Sequence, residues 1–89
     1  MAKNILMTMD FHEASTSNRD VFDSVMARYG WDKSEFVSTA WTKAFPDTSS
    51  TEIIAENISL SVVKAAERAE IDEYDGLVQI GNNPAYHFN

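Results

Sequence analysis

Asp10, His12 and Glu13 form the one compact group in this chain that combines an acid, a base and metal-ligating atoms. A carboxylate at the end of a strand, doubled across a two-fold axis, could hold a hard divalent ion such as Mg²⁺. Two residues on, His12 has the side chain whose ordinary pKa suits a general base near neutral pH. A lone Asp more commonly ends a strand in solvent or caps a loop, and a loop histidine is more commonly just exposed, so both residues are candidates on chemistry alone. The rest of the chain offers little catalytic chemistry. It has no G-x-S-x-G, no Gly-rich phosphate loop and no metal-spaced histidine pair, and three glycines are too few for a nucleotide cradle. With no cysteine, disulfides and thiolate metal sites are excluded.

These side chains need a scaffold, and 89 residues predict one domain, 1–89, with residues 82–89 as a C-terminal tail. A hydrophobic fraction of 44% is enough for a modest core and argues against disorder. No apolar run is long enough to cross a bilayer, and no basic segment precedes a signal-like apolar one, so a cytoplasmic protein without a membrane partner is expected. Fourteen acidic against seven basic residues give a net charge of −7. The seven cations are scattered, which disfavours general affinity for nucleic acid and is compatible with a basic protein partner or with simple solubility.

Asn4–Phe11 reads as a first strand, Ile5 to Met9, closing on Asp10 where the chain should emerge into a loop. Its near-continuous apolar character predicts cover on both faces. A helix is expected over about 18–29, with Val21, Phe22, Val25, Met26 and Tyr29 in one stripe, a capping box from Ser17 to Asp20, and Gly30 as the left-handed terminator. Residues 35–45 are rich in β-branched and aromatic side chains and suit one long strand, or two short ones with a kink near Ser38–Ala40, ended by Pro46. Ile54, Ile58, Val62, Ala65 and Ala69 predict a second helix over about 50–69, capped by Ser49 and Glu52. A rival reading makes 57–63 a strand, because Ile58, Leu60 and Val62 alternate with serines. Leu77–Ile80 reads as a short last strand stopped by Gly81.

The order β-α-β(β)-α-β, with right-handed crossovers, puts both helices on one face of a sheet and predicts a ferredoxin-like α+β domain. The other face is then open, and its simplest cover is a second copy, sheet against sheet, in a homodimer. Trp41 and Phe45, with Tyr86 and Phe88 of the tail, are the candidate interface anchors. The acids Glu67, Glu70, Asp72, Glu73 and Asp75 suit a solvated face or a basic partner.

Met9-Asp10-Phe11 at a strand end, Arg28-Tyr29-Gly30 closing a helix, Ser38 ahead of Trp41 and the last strand Gly76–Ile80 together resemble one known family. It is that of the small CRISPR-adaptation nuclease subunit, with the VapD-type ribonuclease toxins and the GhoS-type antitoxin ribonuclease. The resemblance implies a dimeric ferredoxin-like fold in which Asp10 takes the place of a metal-binding aspartate used in phosphodiester cleavage. It also implies that the C-terminal segment adds to a partner's sheet. The first helix departs from the CRISPR members, reading Arg19-Asp-Val-Phe-Asp-Ser where they carry basic residues. Two expectations follow. The first is a small acidic dimeric regulatory or interaction protein, antitoxin-like or phage-type, that needs no cofactor. The alternative is a metal-dependent endoribonuclease that uses Mg²⁺ at Asp10, with His12 as base.

Overall fold

Burial along β1 (Lys3–Phe11) sets the layout of the molecule: Ile5, Met7, Met9 and Phe11 are buried, whereas Leu6, Thr8 and Asp10 are exposed. That period of two belongs to a strand with one covered face. The structure, a computed structural model, describes residues 2–85 and 88. Among the described residues the helices cover one face of β1 only, not both as expected. The apolar run is continuous in sequence only because Leu6 lies on the uncovered side.

After β1 come α1 (Thr16–Arg28), β2 (Asp32–Lys33), β3 (Ala40–Phe45), α2 (Thr51–Ala69) and β4 (Tyr74–Gly81). The sheet order is β2-β3-β1-β4, antiparallel at every pairing. The result is an α+β domain with a four-stranded sheet and two helices, compatible with a ferredoxin-like fold. Among the described residues no helix is long and apolar enough to cross a membrane.

Local chemistry explains the boundaries. α1 starts earlier than expected because Ser15, not Ser17, is its cap, its hydroxyl accepting from the Asn18 N–H at 3.1 Å. Ser50, not Ser49, caps α2 by accepting from the Ile53 N–H at 3.2 Å. Ser49 instead donates its backbone N–H to the Pro46 carbonyl in the preceding turn. Both helices end in a left-handed residue with a six-to-one backbone bond behind it: Gly30 (φ 87°) with Trp31 N–H to Met26 O, and Glu70 (φ 57°) with Ile71 N–H to Ala66 O. Of residues 35–45, expected as one long strand or as two short ones with a kink near Ser38–Ala40, only Ala40–Phe45 is a strand. Ser34 Oγ accepts from the N–H groups of Phe36 and Val37, which folds residues 34–39 into a turn between β2 and β3. At the other end β4 begins at Tyr74, three residues before the expected start.

Both helices cover the same face of the sheet, where Phe22, Val25 and Met26 of α1 and Ile54, Val62 and Ala65 of α2 meet the inward side chains of β1 and β3. Phe11, Phe22 and Trp41 form a triangle of edge-to-face rings with centroids 4.8 to 6.3 Å apart. Trp41 is 1% exposed and Phe45 8%, so both are packed inside the protomer and have no surface to offer a partner. Their assignment as interface anchors is corrected accordingly. Of the two tail residues, Phe88 is 84% exposed and Tyr86 lies outside the described residues.

Candidate functional site: an acidic uncovered sheet face

Strand register decides which side chains share the uncovered face, because directly paired residues of antiparallel strands point the same way. β1 contributes Asn4, Leu6, Thr8 and Asp10. Opposite them, β3 places Ala44, Thr42 and Ala40, and β4 places Gly81, Gln79, Leu77 and Asp75. Asp32 of β2 pairs with Thr42 and extends the face to the far edge. The centre thus carries Leu6, Leu77 and the two threonines, and the periphery carries Asp10, Asp75 and Asp32.

The distribution of cations sharpens this picture. Lys3 pairs with Phe45, Lys33 with Trp41 and Lys43 with Ile5, so all three strand lysines belong to the helix side of the sheet. Arg19, Arg28, Lys64 and Arg68 are on the helices themselves. Lys43 is drawn inward, donating to the Tyr29 carbonyl at the end of α1 and to Asn57 Oδ1, and this burial lowers its pKa from the usual lysine value. Lys33 pairs with Asp23 of α1. No lysine or arginine is left for the uncovered face.

Asp10 sits one residue before the end of β1, close to where the strand was expected to emerge. β1 runs through it to Phe11, and Asp10 avoids a desolvation cost by pointing out of the uncovered face. It lies directly opposite Asp75. His12, one step beyond the strand, holds its backbone N–H on the Glu73 carbonyl at 3.1 Å and places Nε2 2.9 Å from Asp75 Oδ2. The hydrogen bond to Asp75 raises the His12 pKa above its ordinary value; desolvation opposes it, and the charges of Asp10, Asp75 and Glu73 add to the rise. The structure therefore brings Asp10 and His12 together around Asp75, a residue that sequence reasoning had placed only in a general acidic run. Glu13 is the third member of the sequence cluster and takes a left-handed backbone at the turn (φ 59°).

As a metal centre the group is incomplete within one chain. Mg²⁺ favours several oxygen ligands in near-octahedral order, yet among the described residues no three His, Asp or Glu side chains converge on a common point that could hold an ion. What the face can do is recognise. A surface with an apolar centre, an acidic periphery and no lysine or arginine attracts a positively charged surface and repels phosphates.

Neither a family model, nor a curated protein, nor a solved structure matches the chain.

Proposed function

We propose that the protein is a small, acidic, homodimeric regulatory or interaction protein, antitoxin-like or phage-type, whose uncovered sheet face docks a basic protein partner. One observation carries this reading: three carboxylates surround the apolar centre of that face while all seven lysines and arginines belong to the helix side. Leu6 and Leu77 supply apolar contact, Asp10, Asp75 and Asp32 supply charge selection, and His12 links the acidic end to pH. Electrostatic complementarity of this kind sets partner choice and association rate more than raw affinity.

The test is affinity capture from a lysate of the native host, identification of what is retained, and titration of that purified partner. The expected partner is basic, binds more weakly as salt rises, and is lost when Asp10 and Asp75 are both replaced by Lys. It should be retained by Glu52→Lys, which makes a charge reversal on the helix side. Retention of no basic protein, or equal loss from both variants, would overturn the proposal.

The Asp10–Asp75 pairing beside His12 favours one second reading, a metal-dependent endoribonuclease acting through Asp10. It ranks lower because the described residues of one chain do not bring three His, Asp or Glu ligands to one point. Its test is RNA cleavage with Mg²⁺, which should disappear in Asp10→Ala; cleavage that survives this change removes the proposed role of Asp10.

A further inference from the structure

The two edges of the sheet are built differently. β2 is two residues long and carries Asp32 and Lys33, a short charged edge of the kind that discourages pairing. β4, at the other edge, is eight residues long, and from Gly76 to Gly81 it has neither charge nor proline. Beside it α2 leaves an apolar groove of about 480 Å³, lined by Met7, Ala55, Ile58, Val63, Val78 and Ile80 among others and by no charged side chain. Val78 faces the helix side, being paired with Met7, yet is 46% exposed, and its neighbour Leu77 is 78% exposed. A long, uncharged, apolar edge strand is a template for another strand.

We infer that the β4 edge is the homodimer contact, with β4 of a second copy pairing antiparallel to it about a two-fold axis through Val78, so that two sheets become one. This deepens the dimer part of the proposed function and rests on it. Charge selects the occupant. A basic segment would find no acid in this groove, whereas a second copy, itself at −7, meets no like charge along this stripe, unlike on the acidic uncovered face. Packing uncovered face against uncovered face would instead bring two faces together that each carry Asp10, Asp75 and Asp32 and no lysine or arginine, a like-charge arrangement that costs stability.

Register follows from geometry. A two-fold axis normal to the sheet keeps the helices of both copies on one side only if paired residues have the same parity. Centring on Val78 places Leu77 opposite Gln79 of the second copy and Gly76 opposite its Ile80. Asp75, the one acid in β4, then faces Gly81 of the second copy, which has no side chain to clash with it. A Cβ at Gly76 would stand 2.8 Å from Met9 Sδ and 3.2 Å from the Thr8 carbonyl oxygen, so glycine fits this position with least adjustment. Its bare backbone leaves room for Ile80 of the second copy to lie over it. Each groove thereby receives Val78 and Ile80 from the opposite protomer.

The test is sedimentation equilibrium of the full chain over a concentration series, with circular dichroism to confirm the fold. Wild type should be a dimer. Val78→Lys and Val78→Glu, each placing a charge opposite its own copy, should raise the dimer dissociation constant at least roughly tenfold. An equimolar mixture of the two should recover the dimer as a Lys–Glu heterodimer. If either variant unfolds, the doubly substituted chains Leu77→Lys/Gln79→Lys and Leu77→Glu/Gln79→Glu repeat the experiment one position along, because residue 77 of each copy lies opposite residue 79 of the other. A wild-type monomer overturns the dimer reading and this contact together. A dimer indifferent to both charges leaves the dimer reading standing and sinks the β4 contact. Capture of a basic partner by the monomeric Val78→Lys protein reports separately on the uncovered face.

Discussion

Replacing Asp10 by Asn should stabilise the protein, because the structure sets Asp10 directly opposite Asp75 on an exposed face. Side chains in that relation have Cβ atoms about 5 Å apart. Two unit charges at that distance in a water-like medium repel by about 0.8 kcal/mol, and screening at ~0.1 M salt leaves about 0.5 kcal/mol. For a domain of this size that corresponds to a rise in Tm of about 2–4 °C. His12 adds a pH dependence whose sign is fixed by its raised pKa. Its stabilising contribution is complete below the unfolded-state value and is lost as pH rises through the higher folded-state value. Asp10 is one of the charges that raise it, so Asp10→Asn also removes part of that acid-side stabilisation. The gain should therefore be largest at alkaline pH, where His12 is neutral, and should shrink or reverse in acid. Thermal melts across pH, repeated at ~1 M salt where the Debye length is about 3 Å, measure this directly. A lower Tm at alkaline pH, or a shift that high salt leaves unchanged, would show that Asp10 is a structural cap and not a surface carboxylate held against electrostatic cost.

Three further outcomes are expected. Asp75→Asn should lower the His12 titration midpoint followed by NMR, since the Asp75 hydrogen bond is the largest cause of its rise; an unmoved midpoint would mean the pair does not persist in solution. Phe22→Ala, at a fully buried position in contact with the rings of Phe11 and Trp41, should cost about 3–5 kcal/mol in urea denaturation, and a loss below ~1 kcal/mol would contradict the packing described. Glu70→Gly should add about 0.5–1 kcal/mol by relieving a left-handed non-glycine residue, and Gly30→Ala, at φ 87°, should lose about 1–2 kcal/mol for the converse reason. Both are read from the same denaturation curves, and equal effects in sign would refute the backbone argument.

Elements governed by local pattern were legible in the sequence. The stripe Ile54, Ile58, Val62, Ala65 and Ala69 announced α2, and the structure explains why 57–63 also resembled a strand. Ser61 is buried, but its hydroxyl is satisfied inside the helix by donating to the Asn57 carbonyl at 2.8 Å, while Leu60 is half exposed. Polarity there does not report the solvent side. Phe36 and Val37 misled in the opposite sense, as apolar residues on an exposed turn that Ser34 organises. The site was only half visible. Asp10 and His12 stood out by residue type, but Asp75 is 65 and 63 residues further on, and its place opposite them depends on the β1–β4 register, which no local spacing encodes. The segregation of cations to the helix side is equally non-local. It appears once each lysine of β1, β2 and β3 is assigned to a face.

The measurement that bears most directly on the central claim is NMR shift mapping of isotope-labelled protein as the captured basic partner is added. The perturbed residues should cluster on the uncovered face, at Leu6, Thr8, Asp10, Thr42, Leu77 and Gln79, with His12 shifting alongside. Perturbations confined to the outward surfaces of α1 and α2, with the uncovered face unchanged, would contradict it.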